Sequence, residues 1–268
     1  MIRVFPRKTK WTPEDPLVYI GHVPLFRAEE DLPVKISITF TEDIPLGQKL
    51  FKSWSGHYSD VQIGGPAFDD PGADFVPGRF IKEGVTITSR GCIRRCGFCF
   101  VPKREGSTIR EYPIKPGHII QDNNLLACSR THIENVFEML SKQRKGINFA
   151  GGLDARLLKP WHIDLINKIK IKELWFACDT KGDLPALERA SRLLKYIPIR
   201  KKRCYVLFGY GDETPKEAEA RASRVLELGF WPFAQLYKGP ERRTYGREWR
   251  DPVFVWSNPG IYKKEISK

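Results

Sequence analysis

The sequence predicts an α/β protein with a central parallel sheet, a small α/β extension before it and a basic, aromatic tail after it. Two observations carry this prediction. From Val85 onward, short β-branched and aromatic runs alternate with segments of helical periodicity in six repeats, a pattern typical of parallel strands joined by crossovers. Upstream, the chain is rich in prolines and loops. Its 268 residues can hold one large domain with an appendage, and we place the boundaries at 1–80, 81–238 and 239–268.

The extension, residues 1–80, contains a predicted strand–helix–strand unit. β-branched and aromatic residues predict strands, and apolar residues at helical spacing predict one helix. The strands are expected at Leu17–Gly21, Val34–Phe40 and Asp60–Pro66, and the helix at Leu46–Tyr58. A unit of this kind crosses over right-handed and pairs in parallel. We expect the extension to complete or cover the larger domain.

The larger domain, residues 81–238, contains the six repeats. Its strands are predicted at Val85–Ser89, Gly117–Gln121, Gly146–Ala150, Glu173–Cys178, Arg203–Phe208 and Trp231–Tyr237. Its helices are predicted at about Thr131–Arg144, Trp161–Lys170 and Leu184–Leu194, with a further helix that starts at Thr214–Glu217. Thr131 with Glu134, and Thr214 with Glu217, have the spacing of a capping box.

The tail, residues 239–268, interleaves aromatic residues with arginines and lysines. This composition suits a surface that stacks bases and binds phosphates. It also suits an amphipathic lid whose long cationic stems cover apolar surface at the mouth of the domain. We favour the lid.

Three cysteines follow the first predicted strand of the larger domain. Cys92, Cys96 and Cys99 have the spacing C-x3-C-x2-C, and Gly91 lets the backbone turn into their loop. Soft thiolate ligands favour iron–sulfur clusters, zinc or Cu(I). Three local cysteines leave one iron of a cubane cluster open to an external ligand. A zinc site would need a fourth ligand, and His118 is the nearest histidine downstream.

The segment Cys92-x3-Cys96-Gly97-Phe98-Cys99 after a strand resembles the cluster motif of the radical S-adenosylmethionine (radical SAM) superfamily. The resemblance implies a partial (β/α)6 TIM-like barrel and a [4Fe-4S] cluster on the three cysteines. It further implies that S-adenosylmethionine binds the open iron and is cleaved reductively to a 5′-deoxyadenosyl radical, with flavodoxin or ferredoxin as the electron donor. The closest similarity is to the cobalamin-associated branch. The D-x-H-x-x-G cobalamin signature is missing, so no cobalamin is predicted.

The resemblance also suggests residues that bind the amino acid part of S-adenosylmethionine. In the family, a segment at the end of the second strand, often G-G-E, binds the amino group. Here that position holds Asp122, Asn123 and Asn124. Arg156, after the third strand, is our candidate for the methionine carboxylate, because a guanidinium matches a carboxylate in a two-pronged way. A surface ion pair is the equally weighted alternative for Arg156.

The nucleoside part would lie against the fourth and fifth strand ends. Asp179 could accept hydrogen bonds from the ribose hydroxyls, or could instead cap a helix. Gly209 and Gly211 belong to a segment that resembles the family's adenine-contacting fifth-strand segment, and Phe98 would form an apolar wall near the base. No residue is assigned as catalytic.

Composition and charge limit the remaining possibilities. The formal net charge of +13 favours an anionic substrate or partner, such as a nucleotide or nucleic acid. No apolar run approaches the ~20 residues that span a bilayer, and no nucleotide-hydrolysing phosphate loop matches. We therefore expect a cytoplasmic protein that uses no membrane.

The cysteines support the same compartment. Clustered thiols that bind metal point to reducing surroundings, and the scattered Cys128, Cys178 and Cys204 lie in apolar stretches typical of buried positions. A zinc-containing nucleic-acid-binding module is the alternative to the radical enzyme.

Overall fold

The computed structural model describes residues 1–25, 30–68, 75–239, 241 and 243–266, the last four by their backbone. The N-terminal extension forms a four-stranded parallel sheet in the order β2-β1-β3-β4. Its elements are β1 (Ile2–Phe5), β2 (Val18–Ile20), β3 (Val34–Ser37), α1 (Ile44–Ser55) and β4 (Val61–Gly64). The strand–helix–strand unit is confirmed, with strands and a helix that end earlier than predicted.

β1 is a central strand that the sequence analysis missed. Ile2 and Val4 alternate toward a buried face, which is the period of a half-buried strand. The run is short and ends at Pro6, so its signal is weak. α1 covers the same face, where its buried Trp54 contacts Tyr19 edge-on and stacks on Tyr58.

The larger domain is built on six parallel strands in strictly sequential order. The chain continues through β5 (Val85–Thr86), β6 (Ser89–Arg90), α2 (Val101–Arg104), β7 (Arg110–Glu111), β8 (Ile119–Ile120), α3 (Arg130–Ser141), β9 (Ile147–Phe149), α4 (Pro160–Ile166), β10 (Ile171–Ala177), α5 (Leu184–Leu193), β11 (Lys202–Phe208), α6 (Pro215–Glu227) and β12 (Trp231–Leu236). The predicted α/β class and parallel pairing are confirmed. The sheet runs from β5 at one edge to β12 at the other, and within the described residues no pairing closes it into a barrel.

The crossovers differ in one respect from the predicted repeats. Between β5 and β8 the chain forms the cysteine loop, the four-residue α2 and the antiparallel pair β6–β7, so this crossover has no long helix. α3 starts at Arg130 because the Ser129 side chain accepts from the His132 amide; the predicted capping box at Thr131 is therefore wrong. The capping box of α6 at Thr214 and Glu217 is confirmed.

Buried residues form two separate hydrophobic clusters, one in the extension and one in the larger domain. The tail adds α7 (Arg247–Ser257) and α8 (Pro259–Ile266). α7 packs against β12 and α6, and its Trp249 belongs to the larger cluster. A search of the described helices found none with the length and apolarity that crossing a membrane requires.

Candidate functional site

The cysteine loop leaves the sheet through a tight turn that requires glycine. Gly91 has φ +87°, and a Cβ there would collide with the carbonyl oxygen of Thr108, so an L side chain is excluded by both strain and contact. The Cys92 amide donates to the Gly106 carbonyl at 3.3 Å, and the Cys99 amide donates to the Cys96 carbonyl at 3.0 Å. The loop is thus folded back on itself, with β6–β7 at its base.

The three thiols line one cavity of about 200 Å³ at the carboxyl edge of the large sheet. Burial raises the pKa of Cys96, and the nearby Arg94 guanidinium opposes this. Burial also raises the pKa of Cys99, partly offset by its hydrogen bond from the Val101 amide. Across the described part of the chain, no three His, Cys, Asp or Glu side chains are arranged to hold a single metal ion.

Asn124 joins the second strand end to this cavity. Its amide Nδ2 donates to Asp154 Oδ2 at 3.3 Å and to Cys92 Sγ at 3.6 Å. Its Oδ1 is buried without any hydrogen-bond partner in the described structure. A buried unpaired carbonyl oxygen is costly unless a ligand satisfies it. Asn124 therefore has one acceptor atom left for a hydrogen-bond donor on a ligand beside the three thiols.

Asp122 does not line the cysteine cavity. Its carboxylate accepts from the Thr88 amide at 2.6 Å, from the Thr88 hydroxyl, and from the Ser89 hydroxyl at 3.0 Å. Burial raises its pKa, and these hydrogen bonds oppose the shift. The Asp122 carboxylate is therefore engaged by Thr88 and Ser89 outside the cysteine cavity. It is not positioned there to bind the amino group of S-adenosylmethionine, as the sequence analysis expected.

Asn123 lies in the wall of the cavity, but its side chain is already engaged. Its Oδ1 accepts from Arg90 at 3.1 Å, and its Nδ2 donates to Glu105. Among the described residues, Asn124 is the one of the three predicted residues at this strand end that lines the cysteine cavity and keeps a side-chain polar atom without a hydrogen-bond partner.

Two arginines and two carboxylates form a charged cluster in the lining of the same cavity. Arg94 Nη1 lies 3.6 Å from Asp154 Oδ1 and Arg94 Nη2 lies 3.5 Å from Asp183 Oδ1. Arg156 also pairs with Asp183. Burial raises the pKa of Asp154, and the Arg94 charge opposes the shift. Arg156 thus reaches the predicted cavity, held there by an ion pair.

Asp183 is a site residue that the sequence analysis missed. Its Oδ2 accepts from the Asp179 amide at 3.1 Å and from the Thr180 amide at 2.9 Å, so Asp183 rather than Asp179 caps this turn. Asp179 itself lines the cavity and accepts from the Leu207 amide at 3.2 Å. Burial, and then the charge of Asp183, raise the pKa of Asp179 to about 6.

Phe98 and the fifth strand end meet through Tyr210. Phe98 lines the cavity and contacts Tyr210 edge-on with ring centroids 5.0 Å apart. Gly209 and Gly211 have φ of +81° and +68°, which only glycine adopts readily. They lie outside the lining of the cavity, and the Gly209 carbonyl accepts from the Tyr245 hydroxyl at 3.2 Å.

No protein-family model matches the chain, and no curated protein matches its sequence.

Proposed function

We propose that this protein is a radical SAM enzyme with a [4Fe-4S] cluster on Cys92, Cys96 and Cys99. One observation carries the proposal: the three thiols line one cavity together with Asn124, whose buried Oδ1 has no hydrogen-bond partner among the described residues. When bound, the cluster and S-adenosylmethionine supply a one-electron reductive cleavage that yields methionine and a 5′-deoxyadenosyl radical, which abstracts a hydrogen atom from the substrate.

The protein's own residues would hold this chemistry in place. Asn124 Oδ1 would accept from the ammonium of S-adenosylmethionine, and its Nδ2 would donate to the Cys92 sulfur. Arg94 and Arg156 supply positive charge for the carboxylate. Asp183 orients both arginines by ion pairing. Asp179, with a pKa of about 6, is mostly ionised at neutral pH and can accept from ribose hydroxyls.

We further propose that the large sheet and its connecting helices form a partial (β/α)6 barrel. Strands in sequential order, with crossovers of one hand, place the connecting helices on one face of the sheet. The reactive groups then gather at the carboxyl ends of the strands, as in barrel enzymes. The net charge of +13 supports an anionic substrate, of nucleotide or nucleic-acid type, and an acidic electron donor such as flavodoxin or ferredoxin.

Anaerobic reconstitution with iron and sulfide tests the proposal. The full chain should bind about four irons, as a cubane cluster requires, and should release 5′-deoxyadenosine from S-adenosylmethionine when dithionite is added. Zinc analysis of the aerobically purified protein is the counter-test. One tightly bound zinc, no iron and salt-sensitive DNA binding would instead establish the zinc-containing nucleic-acid-binding module.

A further inference from the structure

The N-terminal sheet has a topological switch point. β1 pairs with β2 on one side and with β3 on the other, and β3 pairs with β4. The connection after β1 therefore leads to one side of the sheet, and the connection after β3 leads to the other. In open parallel sheets, ligands bind in the crevice that such diverging connections leave at the carboxyl ends of the strands.

A cavity of about 470 Å³ lies at this switch point. Its volume falls in the range of ~300–1,000 Å³ that is usual for small-molecule sites. Arg7 follows β1, and Ser37 and Phe40 belong to the end of β3 and the loop after it; all three line the cavity. The facing wall comes from the carboxyl edge of the large sheet, with Gln121 and Gly151. We call this cavity the switch-point crevice.

The switch-point crevice adjoins the cysteine cavity. Asn123 and Gly151 line both, so the two cavities lie on opposite sides of one thin wall. The Asn123 side chain is fixed by Arg90 and Glu105, and the backbone approach at Gly151 is so close that a Cβ would collide with the Asp122 carbonyl. A molecule in the crevice would therefore lie next to the centre where the radical is proposed to form.

The crevice combines flat apolar surfaces with hydrogen-bond donors. The Arg7 guanidinium lies 4.5 Å from the ring centroid of Phe40, and Asp43 and Glu42 hold two of its nitrogens at 2.9 Å and 3.0 Å. Its Nη1 makes no hydrogen bond to any residue that the structure describes. Among those residues the side chains of Ser37 and Gln121 are also without partners. Oriented guanidinium N–H groups suit an oxyanion, and the ring face suits a planar base.

We propose that the switch-point crevice binds the substrate, and that this substrate is a small nucleotide-class molecule with a planar base and a phosphate. The role of the bound molecule as a substrate rests on the proposed radical chemistry, whereas its binding in the crevice does not. The N-terminal sheet thereby supplies recognition, and the carboxyl edge of the large sheet supplies the reactive centre.

Calorimetric titration of the full chain with uridine 5′-monophosphate (UMP) tests this assignment. UMP avoids the adenine-binding surface proposed beside the cysteines. We expect a dissociation constant below about 1 mM, and weaker binding by about tenfold or more in Arg7→Gln, which removes the charge-assisted contact. Ser37→Trp, which fills the crevice, should weaken UMP binding at least as much.

Lys8→Gln is the matched control. It removes a neighbouring positive charge from the same loop, where Lys8 pairs with Glu14 outside the lining of the crevice, and UMP affinity should change less than about twofold. Arg7 is about half exposed, and circular dichroism against wild type checks that Arg7→Gln and Ser37→Trp both fold. Equal affinity in wild type, Arg7→Gln and Ser37→Trp, or no UMP binding at all, would overturn the assignment. Uridine binding as tightly as UMP would overturn its oxyanion part.

The UMP-binding experiment and the test of the radical chemistry can fail independently of each other. UMP binding that depends on Arg7 and Ser37, in a chain that releases no 5′-deoxyadenosine, supports the crevice and removes the proposed function. Release of 5′-deoxyadenosine by a chain that fails to bind UMP supports the radical chemistry and overturns the assignment of the crevice.

Discussion

The carboxyl edges of the two parallel sheets face each other, but they carry different functional groups. The edge of the large sheet carries thiols, carboxylates and guanidiniums, and several of these are buried and ion-paired. The edge of the N-terminal sheet carries aromatic rings, hydroxyls and the Arg7–Asp43 ion pair around the switch-point crevice. A sequential strand order has no switch point, so the large sheet must build its site from the strand ends and the cysteine loop. The N-terminal sheet obtains its crevice from topology.

Substitution of a cysteine in the loop should have the largest effect, and this effect should be confined to the edge of the large sheet. Cys99→Ala should abolish the brown absorbance of the reconstituted cluster and all 5′-deoxyadenosine formation, because two thiolates cannot replace three. UMP binding at the switch-point crevice should remain. Visible absorbance of the reconstituted protein and chromatography of the products measure these effects. Cys128→Ala, at a half-buried thiol outside the cavity, is the control and should keep the cluster.

Protonation of the buried His162 should destabilise the large domain at acid pH. His162 of α4 is buried, and this burial, with the nearby Lys159 charge, lowers its pKa to about 4. A lowered histidine pKa contributes stability above the unfolded value near 6.5, and this stability is lost as pH falls toward 4. Taken alone, this protonation lowers the free energy of unfolding by about 2 kcal/mol between pH 7.5 and pH 5. Asp179, whose pKa is raised to about 6, acts in the opposite direction, because a raised carboxyl pKa adds stability as pH falls through this range. The His162 contribution is therefore the difference between wild type and His162→Gln.

Urea unfolding of the metal-free protein at both pH values measures this loss. His162→Gln should lose less stability over the interval than wild type does. The same substitution at His22, an exposed residue of the N-terminal extension, should leave the pH dependence unchanged. An identical acid response in His162→Gln and wild type would show that the buried imidazole is not responsible.

Substitution of Asn124 should have the smallest effect, a change in the affinity for S-adenosylmethionine, and it tests the cofactor cavity most directly. Asn124→Leu removes both the unpartnered oxygen and the donor to Cys92. We expect the affinity for S-adenosylmethionine to fall about tenfold, or about 1.4 kcal/mol, with the cluster retained. Equilibrium dialysis of the reconstituted protein measures it. Asn167→Leu, at the exposed end of α4, should bind as wild type does, and unchanged affinity in Asn124→Leu would contradict the amine-binding role.

Much of the fold could be predicted because its signals are local. Runs such as Glu173–Cys178 and Arg203–Phe208 differ from the observed β10 and β11 by only one or two residues at an end. The capping box at Thr214 was also readable, because both partners lie within one turn. β1 was missed because four residues before a proline carry little periodicity. α3 was assigned the wrong cap because Ser129 and Thr131 are both good caps, and packing chooses between them.

The candidate site was predictable only in part. The spacing of Cys92, Cys96 and Cys99 lies within eight residues of sequence, and the structure brings the three thiols to one cavity. Asp183 gave no comparable signal, because its ion pair with Arg94 joins residues 89 positions apart. Asp122 and Asn124 look alike in sequence, but Asp122 is consumed by Thr88 and Ser89 whereas Asn124 keeps an unpaired oxygen.

The sequence by itself determined the α/β class, the six strands of the large sheet and the identity of the three thiols. These depend on periodicity, turn residues and spacing, which short-range sterics and hydrogen bonding decide. Only the tertiary structure decided which strand-end side chains remain unpaired, which carboxylate holds the arginines, and that the N-terminal sheet turns its switch point toward the cysteine cavity. Those outcomes depend on contacts between distant parts of the chain, where burial and hydrogen-bond satisfaction select one arrangement among many that the local pattern allows.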